Sequence, residues 1–320
     1  MTDPAVPRTN PWTIALAVAG VVAVMVIAGV VFLINDRAGR TIDGVQVGAT
    51  PEYGRQLIMQ TAVLLGPHHP DPERRYTGNG LNCSSCHLEG GRLPGALALT
   101  ETYQRYPTFS ARDGNQGDLK QRIDGCMERS MNGRQLPADS VEMNAMVAYI
   151  KALSEQYAAM SRTYQSPAEA PPFRTPTRAA NVEAGKAIYL DKCAVCHGND
   201  GSGLRAGPDP RRGYIFPPLW GPESYNNGAG MARLITAARF IKSRMPLGRA
   251  ALSDDEAFDV AAYVNAQPRP EMDPARLALD YPDKMRKPVD SPYPPWADTS
   301  PAEQHRLGPF QPIEAFYKKK

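Results

Sequence analysis

Two Cys-x-x-Cys-His pentapeptides, a repeated pairing of a glycine-bearing helix with a Val/Ala-Ala-Tyr helix, and one long uncharged stretch predict a mainly α chain. It reads as two class I cytochrome c-like haem domains, preceded by one transmembrane helix and followed by an extended Pro-rich C-terminal strap. The expected boundaries are a membrane anchor at 1–40, a haem 1 domain at 41–165, a linker at 166–178, a haem 2 domain at 179–268 and the extended segment at 269–320. At 320 residues, 42% of them hydrophobic, the chain is long enough for two small domains plus connections. A formal charge of +3 without a basic tract argues against nucleic acid as a partner.

The N-terminal element comes first. Trp12 to Ile34 runs 23 residues without a charge, and at about 1.5 Å per residue a helix there spans roughly 34 Å, enough for a bilayer. Asn10-Pro11 suits a helix start and Trp12 the membrane interface. The apolar run exceeds the roughly 7–15 residues of a cleavable signal, and no small-x-small site follows it, so it reads as an uncleaved anchor. Arg8 on one flank and Arg37 and Arg40 on the other leave the positive-inside rule nearly balanced. The haem motifs decide orientation, because covalent haem attachment in bacteria is periplasmic.

Those motifs are Cys83-Ser84-Ser85-Cys86-His87 and Cys193-Ala194-Val195-Cys196-His197, which take up four of the five cysteines. In each, two thiols add across the porphyrin vinyls and the adjacent histidine supplies the proximal iron ligand. A zinc ribbon or a thioredoxin-type pair explains the Cys-x-x-Cys but not the histidine after it. The chain is therefore expected to carry two covalently bound haem c, with His87 and His197 on iron.

In the first domain, Gly54 is expected to meet the terminal helix that Ser140 caps, although 29 residues separate Gly54 from Cys83. The extra segment includes Gly66-Pro67-His68-His69-Pro70 and reads as an insertion near the first haem, with both histidines in a solvated loop. The fifth cysteine, Cys126, falls 39 residues after His87 in a predicted helix that Asp118 caps and Asn132-Gly133 ends. Leu119, Ile123, Cys126 and Ser130 share a face there, flanked by Arg122 and Arg129. Such a wall suits a haem that also admits an anion. Gly125 costs about 1 kcal/mol against alanine inside a helix, so a bulky neighbour is expected beside it. Met127, Met131, Met143 and Met146 compete with Cys126 as distal ligand. The last two belong to the packing helix, and spacing leaves Cys126 and Met131 both open.

In the second domain, Gly185 lies eight residues before Cys193 and is expected to contact the terminal helix begun by Ser253. Met245, 48 residues after His197 and following the helical run from Ala232 to Arg244, is the expected distal ligand, with Lys242 and Met231 as rivals. Ser166 to Pro176 is a stiff linker. After Ala266 the proline density resists regular structure, while Tyr281, Tyr293, Trp296 and Phe310 argue for a strap that packs back over the first domain. Lys318-Lys319-Lys320 reads as a solvated tail.

Asn82 to Leu88, Arg122 to Pro137 and the closing Glu303 to Ile313 resemble the thiosulfate dehydrogenase family of dihaem cytochromes c, over about residues 45 to 315. The resemblance implies that Cys126 is the distal ligand of the catalytic haem and that Arg122 and Ser130 line the substrate pocket, with Arg112 a further pocket arginine. It implies an oxidoreductase that joins two thiosulfates as tetrathionate and sends electrons through haem 1 and haem 2 to an external acceptor, such as a small cytochrome c or iron–sulfur protein. The same parts serve tetrathionate reduction. Cys126 would leave the iron and hold the first thiosulfate covalently until the second attacks. A thiolate lowers the haem potential and a thioether raises it, so electrons would enter at Cys126 and leave at Met245. The competing reading is a membrane-anchored dihaem carrier that feeds a terminal oxidase, for which two methionines suffice and Cys126 has no task. A haem–cysteine protein acting on carrier-bound sulfur is a third.

Overall fold

A computed structural model describes residues 41–42, 44–93, 97–161 and 172–318. Two units are distinguished, Met1–Gly48 and Ala49–Lys320. In the first, β1 (Thr41–Ile42) and β2 (Val45–Gln46) form an antiparallel hairpin with Thr41 opposite Gln46. The expected anchor at Trp12 to Ile34 lies outside the described residues. Among the described residues no helix is long and apolar enough to cross a membrane.

The second unit is mainly helical. Its first half comprises α1 (Pro51–Met59), the hairpin β3 (Thr108–Ser110) and β4 (Asn115–Gly117), α2 (Leu119–Arg129) and α3 (Val141–Ser161). Helix α1 begins at Thr50, whose hydroxyl accepts from Tyr53 N, and Pro51 occupies a first-turn position where its missing N–H costs nothing. Ser140 Oγ accepts from Met143 N at the start of α3. The helices cross at Gly54, where any Cβ would run into the Ala145 carbonyl and Tyr149. Tyr53, Leu57, Met143, Met146 and Ile150 fill the core around that crossing. His68 is exposed as expected of a loop, but His69 is buried and its Nδ1 accepts from Asp71 N, so the insertion packs rather than dangling in solvent.

The second half repeats the plan with α4 (Val182–Lys192), the strand pair β5 (Leu204–Arg205) and β6 (Tyr214–Phe216), α5 (Leu234–Arg244) and α6 (Asp254–Ala266). A full capping box joins Ser253 and Glu256 at the start of α6. Gly185 abuts the Asp259 carbonyl and Tyr263 of α6, and Tyr189, Trp220 and Tyr263 pack in tilted and edge-on contacts as one aromatic cluster beside it.

The C-terminal segment departs from expectation. It holds three short helices, α7 (Pro274–Leu279), α8 (Ala302–Leu307) and α9 (Gln311–Lys318). Proline at a helix start begins helices instead of preventing them: Asp273 caps α7 ahead of Pro274 at its first turn, and Pro301 is itself the N-cap residue of α8. Phe310 and Ile313 are fully buried against Leu234, Phe258 and Ala262 of the second half, while Asp280 and Tyr293 reach Arg112 of the first. Lys318 is helical, and the last two lysines lie outside the described residues.

Gly185→Ala is expected to destabilise the protein by about 1–3 kcal/mol, because the added methyl meets backbone that cannot give. Denaturant unfolding of the haem-loaded protein measures it, and an unchanged midpoint would show that the crossing tolerates separation.

Candidate active site and haem-attachment sites

Each pentapeptide folds as a tight helical turn, Cys83–Ser85 in the first and Ala194–His197 in the second. In the first, Thr61 is wholly buried, accepts from Cys83 N (3.0 Å) and donates to Cys83 Sγ (3.4 Å). Burial pushes the Cys83 thiol up to about 11 and the Cys86 thiol up to about 12, so both sulfurs are neutral thiols in the polypeptide. His87 Nδ1 lies 2.5 Å from the Leu97 carbonyl, and His197 Nδ1 lies 2.8 Å from the Pro217 carbonyl. A carbonyl only accepts, so each imidazole carries its proton on Nδ1 and keeps the Nε2 lone pair for a metal. Burial also lowers both histidines' proton affinity and favours the neutral, ligating form. Two thiols and one oriented imidazole are the donor set haem c requires, and Cys83, Cys86, His87, Cys193, Cys196 and His197 fit that group.

Cys126 projects from the middle of α2. Asp118 and Gln121 close a capping box at the start of that helix, and Asn132 turns left-handed just past its end (φ 48°). Leu119, Ile123 and Met127 are buried beneath it. Ser130 is the C-cap, and its carbonyl accepts from the buried Asn79 Nδ2 at 3.0 Å. Arg122, one turn before Cys126, places Nη1 2.9 Å from the sulfur. Arg122 is exposed to solvent. Its proton is held more tightly than usual, chiefly through the charge of Cys126. Cys126 is close enough to Cys83 and Cys86 to interact electrostatically with both thiols, and Arg122 likewise with His87. The cysteine and arginine thus face the first haem motif. Met127 and Met131 are almost fully buried, as are Met143 and Met146, and all four fill the core. No protein atom lies within 4 Å of a Cβ built on Gly125, so no bulky protein neighbour demands glycine there.

Two arginines differ from expectation. Arg129 was expected to flank the pocket wall. It is buried instead, with Nη2 2.8 Å from Asp280 Oδ1 of the C-terminal segment. Arg112 is within electrostatic range of Arg122, but its Nη1 is held by Asp280 Oδ2 (2.8 Å), the Tyr293 hydroxyl (3.3 Å) and the Gly228 carbonyl (3.3 Å). Asp280 is itself only 6% exposed and also accepts from Tyr293 at 2.7 Å. The carboxylate bridges two guanidiniums and braces α2 against the C-terminal segment. Tyr106 is a site neighbour that sequence reasoning missed. Its hydroxyl accepts from the Arg122 side chain, and burial raises its proton affinity. An aromatic at the edge of a polar loop was the only signal.

In the second half, Met245 caps the end of α5, half-buried, with its N–H on Ile241 O. Lys242 is engaged elsewhere: Nζ donates to Leu252 O (2.6 Å) and lies 3.6 Å from Asp254. Phe216 meets His197 edge-on at 6.3 Å.

Comparison with known proteins follows the same division. Residues 73–158 match the SoxA/TsdA cytochrome c domain family, and residues 180–264 match the cytochrome c oxidase cbb3-type subunit III family. The chain is 44% identical over 221 residues to a thiosulfate dehydrogenase of Stutzerimonas stutzeri, covering 68% of this chain and 69% of that protein. It is 41% identical over 229 residues to one of Allochromatium vinosum, covering 70% and 80%. The solved thiosulfate dehydrogenase (TsdBA) of Marichromatium purpuratum, in its as-isolated form, superposes with a TM-score of 0.59 at 31% identity. That likeness covers 73% of this chain, which spans half (50%) of the Marichromatium chain.

Asp280→Ala is expected to cost about 3–5 kcal/mol, because it leaves the buried Arg129 guanidinium and the half-buried Arg112 without their counter-charge. Chemical denaturation reads the loss, and a change under about 1 kcal/mol would show that the arginines find other partners.

Proposed function

The chain belongs to the thiosulfate dehydrogenase family, and on that premise we propose that it couples two thiosulfates into tetrathionate at Cys126. Cys83, Cys86, His87 and Cys126 would hold one haem c, and Cys193, Cys196, His197 and Met245 the other, and the pair would supply acceptors for the two electrons. The single observation that carries the reading is the 2.9 Å contact between Arg122 Nη1 and Cys126 Sγ on the side that faces the first motif.

The chemistry explains why a cation belongs there. Each pair of unit charges at 4 Å repels by about 4 kcal/mol near a protein surface, and two dianions present four such pairs. Arg122 is the charge that offsets this repulsion, with Ser130 as a hydrogen-bond donor and Tyr106 holding the guanidinium. Arg112 contributes from farther back, since Asp280 already neutralises much of its charge. Deprotonated Cys126 and the first thiosulfate form a Cys–S–S–SO3⁻ adduct with release of two electrons. The second thiosulfate then attacks the sulfane sulfur, the new S–S bond completes tetrathionate, and Cys126 departs as thiolate. Nothing is oxidised in that second step, so the atoms and charges balance across the pair.

The carrier alternative is not favoured: the relatives named above are thiosulfate dehydrogenases, and the likeness to an oxidase subunit covers the second cytochrome domain alone. The sequence supports a periplasmic location with Trp12 to Ile34 as a single-pass anchor. The exit for electrons is the Met245 site, from which a small cytochrome c or iron–sulfur protein would collect them singly.

Cys126→Gly leaves both attachment motifs intact. It is expected to keep two covalent haems and to lose thiosulfate-dependent tetrathionate formation by about a thousandfold or more. Normal turnover in that variant would overturn the assignment.

A further inference from the structure

One short strand touches both haem-attachment segments. β6 begins against the peptide that leads into the first motif and ends against the proximal histidine of the second. Gly213, just before β6, has φ +68°, and a Cβ there would lie 2.8 Å from the Gly80 carbonyl oxygen and 3.0 Å from Ala62 Cβ. A Cβ on Gly80 would meet the Tyr214 ring at 3.2 Å and Glu223 Oε2 at 3.3 Å. Two glycines therefore let the backbones of the two cytochrome domains touch, three residues before Cys83.

Polar contacts close around this meeting point. Gly80 N donates to Glu223 Oε2 (3.1 Å), while Arg205 lies 4.8 Å over the Tyr214 ring and 3.9 Å from Glu223. Asn79, wholly buried, donates from Nδ2 to Ser130 O in the first domain and to Ser224 O (3.2 Å) in the second. At the far end of β6 the Phe216 ring sits edge-on to His197, and Pro217 O receives the His197 Nδ1 proton. Phe216 pairs with Leu204 and Tyr214 with Arg205, a register shift that leaves Ile215 as an extra residue on β6 and re-aims the two rings. Even fully extended, the four steps from Gly213 to Pro217 span no more than roughly 13 Å.

Two cytochrome domains can pack through any pair of faces. Here the contact is made by the segment next to one thioether cysteine and by the residues that hold the other domain's iron ligand. We infer that β6 is the spacer that fixes the separation of the two haem sites, and that Tyr214 and Phe216 are positioning residues for electron transfer between them. In that transfer one electron leaves the reduced first site and reduces the oxidised second, and no bond is made or broken. The inference rests on the two attachment sites and not on thiosulfate as the donor.

The test uses the haem-loaded protein and reads exchange, not turnover. A flash-photoreduced electron is followed optically as it equilibrates between the haems, and each midpoint potential is taken by spectroelectrochemistry. Tyr214→Leu and Phe216→Leu are expected to slow exchange by about tenfold or more, since small misplacements carry large rate costs, while Tyr214→Phe stays within about twofold. Phe216→Leu is also expected to shift the second haem's potential and to leave the first unchanged. Should Tyr214→Leu fail to load both haems, Phe216→Leu carries the test. Wild-type exchange in a loaded leucine variant would overturn the role of β6. Failure of thiosulfate to reduce the first site, with exchange slowed as expected, would sink the substrate reading and support this one.

Discussion

The contact between the Arg122 guanidinium and the Cys126 sulfur is the constraint around which the first domain is arranged. A fixed cation one helical turn from the sulfur offers an incoming anion a place to settle. Holding the pair in register demands a helix that does not shift, and α2 is secured at both ends. The capping box at Asp118 fixes its start, while Asn79, Asn226 and Asp280 hold its last carbonyls and Arg129. Two of those three come from outside the first domain, so the geometry at Cys126 depends on the whole second unit being assembled.

Asymmetry between the halves gives that geometry a direction. Both use the same plan of crossing helices, glycine contacts at Gly54 and Gly185, and a Nδ1-anchored histidine. They differ on the opposite side, where one offers a thiol beside an arginine and the other a methionine at a helix end with its neighbouring lysine engaged elsewhere. A thiolate favours the ferric state and a thioether the ferrous one, so with Cys126 and Met245 as ligands, as proposed, electrons would run from the first site toward the second. The glycine-to-glycine meeting at Gly80 and Gly213 keeps the two halves at one spacing.

Much of this was legible in the sequence because it depends on local spacing. The pentapeptides are contiguous, Arg122 and Cys126 are four residues apart on a helix, and Asp118, Ser140 and Ser253 announce helix starts by their own chemistry. What was hidden depends on pairings between distant residues. Arg112 meets Asp280 across 168 positions and Arg129 meets it across 151, and no periodicity links them. Arg129 looked like part of a pocket wall because its place on the helix was known but not the carboxylate waiting for it. The proline-rich end misled for the opposite reason: proline was read as a breaker where it occupies first turns. His69 was taken for solvated because two prolines flank it, yet the loop folds back and buries it.

The central claim is that the Cys126 sulfur ligates the first iron, and the electron paramagnetic resonance spectrum of the oxidised protein tests it most directly. Thiolate-ligated low-spin ferric haem shows a compressed spread of g-values, so the wild type should display one such signal beside a wider one from the methionine-ligated site. In Cys126→Met the compressed signal should vanish while the other persists. Two wide signals in the wild type would contradict the account and leave an electron carrier as the better description.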